Sequence, residues 1–137
     1  MLQLTYISTA APSLSIYDAE MILETSRRNN SHAGLTGLLV FDGTRFLQAL
    51  EGDQIPVEDT YLRICADTRH RAVVELSRRS VNARQFGGWA MASQVIGPII
   101  GKGDIVGTVD ALTETIPEPN TRALFRSFAR LRAAWPD

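Results

Sequence analysis

A chain of 137 residues with 45% hydrophobic and 21% charged side chains has the size and make-up of one globular domain, which excludes a disordered or fibrous protein. Fourteen basic against fifteen acidic side chains leave a formal net charge of -1, so no global field draws the chain to nucleic acid or anionic lipid. A single cysteine, Cys65, excludes an intramolecular disulfide framework, the start MLQLTYIS lacks a secretory signal, and no apolar run approaches the roughly 18 to 20 residues of a membrane span, so the expected location is cytoplasmic.

Leu2 to Ser8 alternates with period two, which places Leu2, Leu4 and Tyr6 on one strand face and Gln3, Thr5 and Ile7 on the other. Ser15 followed by Asp18 starts a helix of good helix formers through Arg28, and Ile22, Ser26, Asn29 and Asn30 share its one side. Two strands, Leu35 to Phe41 and Arg45 to Leu50, flank Asp42-Gly43-Thr44, a hairpin turn signal. In the second, Phe46, Gln48 and Leu50 share a face. A helix from Pro56 to about Asp67 turns Val57, Tyr61, Ile64 and Cys65 inward, with Arg63 and Asp67 one turn apart on another side.

Val73 to Val81 reads as a fourth strand and Trp89 to Ile96 as a fifth, giving the order βαββαββ and an α+β fold. A glycine-rich bend at Gly97, Gly101 and Gly103 then divides the chain into a core over 1-96 and a helical extension over 97-137. The extension holds a short helix from about Asp104 to Glu114 and a last one from Asn120, with Leu124, Phe128, Leu131 and Trp135 on one stripe and Arg122, Arg126 and Arg130 elsewhere.

Familiar catalytic signatures are missing. His32 and His70 stand apart from any nucleophile pattern, and one cysteine with two isolated histidines lacks metal-ligand spacing, so neither a triad nor a metal is expected. Gly34-Leu35-Thr36-Gly37 fits no phosphate loop, and Glu51-Gly52-Asp53 reads as a solvated strand end rather than a catalytic acid pair. What stands out is a set of polar side chains pointing where apolar ones belong: Tyr6, Asn30 and Gln48, with Trp89 and Met91 on another inner face. Each has a structural explanation, since a buried amide or phenol can bond a backbone group, and Trp89 with Met91 can simply fill core volume.

Read in order, Leu4-Thr5-Tyr6-Ile7-Ser8, Ser26-Arg27-Arg28-Asn29-Asn30, Gly34-Leu35-Thr36-Gly37-Leu38-Leu39, Phe46-Leu47-Gln48-Ala49-Leu50-Glu51-Gly52, Tyr61-Leu62-Arg63-Ile64, Asp67-Thr68-Arg69-His70 and Arg84-Gln85-Phe86 leading to Trp89-Ala90-Met91 form a pattern over residues 2 to 96. It resembles the BLUF domain, a sensor of blue light using flavin. The resemblance implies a ferredoxin-like sandwich: a five-stranded mixed sheet, two helices on one face with the flavin ring between them, and here a C-terminal helical cap.

It further implies that Tyr6 and Gln48 are the signalling pair and Asn30 the flavin anchor on the C4 carbonyl and N3 edge. Ile22, Ser26, Asn29, Leu38 and Phe46 become pocket wall, Asp67 a ring or ribityl neighbour, Arg63 and His70 weaker contacts, and Arg27 and Arg28 candidates for the phosphates or adenine. The implied cofactor is FAD, with FMN or riboflavin open. The implied event is light-driven electron and proton transfer from Tyr6 to the flavin and rearrangement of Gln48, felt by Trp89 or Met91, with no substrate turned over.

About forty residues after the fifth strand are too few for an effector domain, so the expected output is a separate effector protein, through the outer sheet face, the helical cap or a homo-oligomer interface. The last helix is expected to pack on the sheet face not used for flavin, with its arginines in solvent; the alternative is that its stripe or basic side docks an effector or a second subunit. Two rival readings are a non-photochemical regulatory or assembly domain and an acylphosphatase-like hydrolase. The second needs an arginine after the first strand, where this chain has Thr9-Ala10-Ala11-Pro12-Ser13.

Overall fold

A computed structural model describes residues 1–86, 92–95 and 105–134. In chain order they form β1 (Leu2–Ala10), α1 (Ile16–His32), β2 (Thr36–Phe41), β3 (Arg45–Gly52), α2 (Gln54–Ala66), β4 (His70–Ser80), β5 (Ala92–Val95), α3 (Ile105–Thr113) and α4 (Pro119–Ala134). The five strands make one mixed sheet in the order β4-β1-β3-β2-β5. Only the β2–β5 pairing is parallel; β1 is antiparallel to β3 and β4, and β2 to β3. This is the expected βαββαββ sandwich.

Local chemistry explains the element ends. Ser15 Oγ accepts the Asp18 amide at 3.1 Å while the Asp18 carboxylate accepts the Ser15 amide at 3.0 Å, a reciprocal cap that starts α1. The β2–β3 hairpin turns at Gly43, whose φ of 101° favours glycine, and Asp42 Oδ1 ties the turn by accepting from the amides of Thr44 and Arg45 at 2.9 and 2.7 Å. α4 begins one residue before the expected Asn120. Pro119 occupies the first helical turn, and the Glu118 carboxylate accepts the Asn120 amide at 3.1 Å.

β1 and β3 are buried on both faces, and each face has its own core. On one, Leu2, Leu4 and Tyr6 of β1, with Leu39, Phe46 and Leu50, meet Ala19, Ile22 and Leu23 of α1 and Val57 of α2. On the other, Leu38, Val40, Leu47 and Ala49 pack with Phe86 and with Ile105, Val109, Ile116, Phe125, Phe128 and Ala129. The C-terminal helices therefore cover the sheet face opposite α1 and α2, as expected.

Other details differ from the sequence pattern. The inward stripe of α4 is Thr121, Phe125, Phe128 and Ala129; Leu124 is half-buried and Leu131 exposed, because the helix docks with Phe125 at its centre. Trp135 lies outside the described residues, as does the Gly97–Gly103 bend. On α2 the buried pair is Val57 and Thr60, while Cys65 is exposed. Glu51, read as a solvated strand end, is fully buried, since the segment around Arg84 to Phe86 folds over it.

Candidate functional site

Cross-strand register brings the inner-face polar residues together. Tyr6 of β1 pairs directly with Gln48 of β3, which pairs with Leu39 of β2, so all three side chains point between α1 and α2. On α1, Ile22, Thr25, Ser26, Asn29 and Asn30 fall on one side at helical spacing. On α2, Thr60, Arg63, Ile64 and Asp67 do the same. With Arg69 and His70 they line one cleft of ≈ 610 Å³, counting its open mouth.

The floor of the cleft is a polar pair in a dry place. Tyr6 is 1% exposed, and its hydroxyl donates a short hydrogen bond to Gln48 Oε1. Burial is the main reason the phenol holds its proton far above the ordinary tyrosine range; Cys65, Tyr61 and Asp67 add to it. Tyr61 lies beside it, ring centroids 5.7 Å apart, its own hydroxyl pushed up to about 12 by burial and the Cys65 thiol.

Asn30 is 2% exposed, and its Nδ2 is a buried donor with no partner among the described residues. Such an orphan in a cleft wall is costly unless something supplies an acceptor. A ligand that places a carbonyl oxygen or another acceptor beside Asn30 would satisfy it. Ile22, Ile64 and Leu39 give apolar walls, and Asn30 Nδ2 supplies the donor beside the Tyr6–Gln48 pair.

Toward the mouth the groups are charged. Asp67, the residue that ends α2, accepts from Arg69 Nη2 at 2.7 Å and Nε at 3.0 Å, and this pairing holds its carboxyl below the usual aspartate range. Arg63 donates to Thr60 Oγ1 at 3.2 Å. His70 is buried against Phe46, centroids 4.8 Å apart, with Nδ1 2.7 Å from Ser8 Oγ. Burial lowers the pKa of His70; Asp67 opposes the shift and Arg69 adds to it, so the ring is neutral at pH 7.

Of the expected site residues, the structure gathers Tyr6, Ile22, Ser26, Asn29, Asn30, Gln48, Arg63, Asp67 and His70 around this cleft. Leu38 is a correction: it faces the second core beside Ala49, because β2 alternates and the residue beside Gln48 is Leu39. Phe46 shares the inner face but stacks on Phe41, centroids 4.4 Å apart, supporting His70 from behind. Arg27 and Arg28 are exposed and do not line the cleft, since they lie about 100° and 200° around α1 from Ser26; the cations at the mouth are Arg63 and Arg69. Trp89 and Met91 lie outside the described residues.

Five lining residues escaped the sequence reading: Thr25, Leu39, Thr60, Ile64 and Arg69. Helical spacing from Asn29 and Asp67 points to Thr25, Thr60 and Ile64, and strand parity with Gln48 points to Leu39. Among the described residues no cluster of ligating side chains suits a metal ion, and no helix is long and apolar enough to cross a membrane.

The family model of BLUF, sensors of blue-light using FAD, matches residues 1–92. The "Blue light- and temperature-regulated antirepressor BluF" of Escherichia coli is 40% identical over 68 residues, 50% of this chain and 17% of that protein. The "Photoactivated adenylate cyclase subunit beta" of Euglena longa is 34% identical over 91 residues, 66% of this chain and 11% of that protein. The chain thus spans a small fraction of these relatives, and the cyclase activity in the second name does not travel with the match. Among solved structures, Klebsiella pneumoniae BlrP1 with FMN and cyclic diGMP superposes with a TM-score of 0.74 at 30% identity, covering 97% of this chain and 35% of that one. BlrB, a BLUF protein in its dark state, gives 0.69 at 26% identity and covers 95% and 96%. With a family match over two thirds of its length, and a cleft whose donors suit a flavin edge, the chain belongs to the BLUF family of blue-light sensors that use FAD.

Proposed function

We propose that the cleft between α1 and α2 holds the flavin ring, with Asn30 as its edge anchor and Tyr6 with Gln48 as the photoactive pair. The observation that carries this reading is the coincidence, in one cleft, of an orphaned amide donor on Asn30 and a buried Tyr6–Gln48 hydrogen bond. Bound flavin supplies the absorption of blue light and, when excited, an acceptor for an electron.

The protein's own groups then define the cycle. Tyr6 is the nearby oxidisable phenol, its proton held all the more firmly for being buried, and Gln48 Oε1 already accepts its hydrogen bond. A phenol that loses an electron becomes a strong acid, so its proton leaves along that bond and returns on recombination. Gln48 carries an acceptor at one end of its amide and donors at the other, so turning or tautomerising it reverses what it shows the cleft. Asn30 Nδ2, Arg63 and Arg69 hold and orient; none of them needs to react. Ile22, Leu39 and Ile64 keep water from the ring face.

The output reading is that this state is passed to a separate effector protein by a cytoplasmic homo-oligomer. The absorption spectrum of the purified, flavin-loaded protein, recorded in darkness, after blue light and during recovery, tests the input side. We expect a small reversible red shift that Tyr6→Phe abolishes while flavin stays bound. A colourless protein, or a red shift unchanged in Tyr6→Phe, removes the proposal.

A further inference from the structure

Gln48 and Glu51 stand three residues apart on β3 and therefore on opposite sheet faces. Each is the centre of a row across the same three strands. Gln48 sits between Tyr6 and Leu39; Glu51 sits between Gln3 and Thr36. β1 and β3 thus exchange a side-chain hydrogen bond on each face, Tyr6 to Gln48 within and Gln3 to Glu51 without.

Glu51 is fully buried, and four donors converge on its carboxylate, two to each oxygen. Oε1 accepts from Thr36 Oγ1 and from the Phe86 amide, both at 2.8 Å. Oε2 accepts from the Gln85 amide at 3.0 Å and from Gln3 Nε2 at 3.2 Å. Arg84 locks the same corner, donating to Thr36 Oγ1 at 3.0 Å, to the Glu51 carbonyl at 3.3 Å and to the Gly34 carbonyl at 2.9 Å. Gln3 Oε1 in turn accepts from Thr121 Oγ1 of α4 at 2.9 Å. The next residue is closely packed: a Cβ at Gly52 would stand 2.6 Å from Leu35 Cδ2 and 3.2 Å from the Gly34 carbonyl oxygen, so the Leu35 side chain would have to move.

A carboxylate among Leu47, Ala49 and Phe86 is an expensive way to fill space, and a well-packed apolar side chain there would cost less. What the carboxylate adds is a fixed position for two backbone amides that lie between strands, six and seven residues before β5 begins. It also joins them, through Gln3, to the C-terminal helix. A slide of β3 against β1 that alters the Tyr6–Gln48 bond must also strain the Gln3–Glu51 bond, since both span the same strand pair.

We propose that Glu51 is a positioning residue for signal output: it sets where the chain turns toward β5 and ties that turn and the Gln48 strand to α4 by way of Gln3 and Thr121. The proposal rests on the light-sensing reading above and extends it to the opposite sheet face.

Amide hydrogen exchange on the flavin-loaded full chain, in darkness and under blue light, tests it with Glu51→Gln and Thr121→Val. A glutamine at 51 must turn its NH2 toward two donors, so the Gln85 or Phe86 amide should exchange roughly tenfold faster or more in the dark. The flavin red shift should persist, while the light-induced change in exchange over 119–134 disappears. Thr121→Val should keep both the red shift and the protection of Gln85 and Phe86 and lose only the response over 119–134. Unchanged protection at 85 and 86 in Glu51→Gln overturns the proposal, as does a light response over 119–134 that survives in both variants or is missing from the unaltered chain. Should Glu51→Gln not fold, Thr121→Val decides by itself. An unaltered chain without a red shift would sink the sensing reading, and dark exchange at 85 and 86 would still show whether Glu51 holds the turn.

Discussion

Replacing Asn30 with leucine should strengthen the flavin-free protein and weaken its grip on flavin. Asn30 is buried at 2% exposure and its Nδ2 has no partner among the described residues. A buried donor left unpaired costs about 1–3 kcal/mol, and leucine of similar size removes that cost. In a chain of 137 residues each kcal/mol moves the melting temperature by a few degrees, so flavin-stripped Asn30→Leu should melt several degrees higher. With flavin present the sign reverses, because the carbonyl that Nδ2 would meet is now buried against methyl groups. About 1–3 kcal/mol of binding is lost, roughly 5- to 150-fold in dissociation constant. Thermal unfolding of the stripped protein and fluorescence titration with FAD measure the two halves. Lower stability of the stripped variant together with an affinity within twofold of the original would refute the assignment of Asn30 as anchor.

Two further outcomes follow from burial and parity. Leu38 and Leu39 are equally buried on opposite faces, so alanine at either should cost about 2–5 kcal/mol in denaturant unfolding, but only Leu39→Ala should change flavin affinity or the absorption maximum; a spectral change in Leu38→Ala would mean the strand faces are misassigned. His70 has a pKa held below its unfolded value of about 6.5, so the unfolded chain binds the extra proton: the contribution of this residue is complete above about pH 6.5 and is lost as pH falls below it. Denaturant unfolding between pH 7.5 and 5 should therefore show stability falling with acid, and His70→Gln should flatten that limb; an identical slope in both proteins would show that another group titrates there.

The strands and helices were legible because each buries a face, and burial imprints period two or 3.6 on the sequence. Ile22, Ser26, Asn29 and Asn30 emerge from helical spacing, as do Arg63 and Asp67. Tyr6 and Gln48 each stand out as a polar residue in an apolar strand face, but only the β1–β3 register makes them neighbours. The misses have a common cause. β2 is apolar on both faces, so its sequence, TGLLVF, holds no clue that Leu39 rather than Leu38 meets the cleft. Glu51 looked solvated because a carboxylate beside glycine usually is, and its four donors come from Gln3, Thr36, Gln85 and Phe86, far apart in sequence. On α4, both Leu124 and Phe125 continue an apolar stripe through Phe128, and only the docked helix chooses Phe125.

If Gln48 and Glu51 act as proposed, the two rows across β3 also bound how strongly light can act. For the rest of the protein, two arrangements of Gln48 differ by the hydrogen bonds they exchange, and one such bond is worth about 0.5–1.5 kcal/mol net. That biases a two-state equilibrium by roughly two- to thirteenfold, far short of the 5.5 kcal/mol or so needed to carry it from 1:99 to 99:1. Nor does a rotating amide move much backbone: Gln48 and Glu51 are only about 10 Å apart along β3, and both lie in the middle of a sheet closed on either side by helices. A sensor built this way works by tilting a balance that already lies near even, which requires the outer face to be held by a few exchangeable hydrogen bonds instead of by packing alone. The Gln3, Glu51 and Thr121 contacts are of that kind, each a polar bond between elements that also share an apolar core.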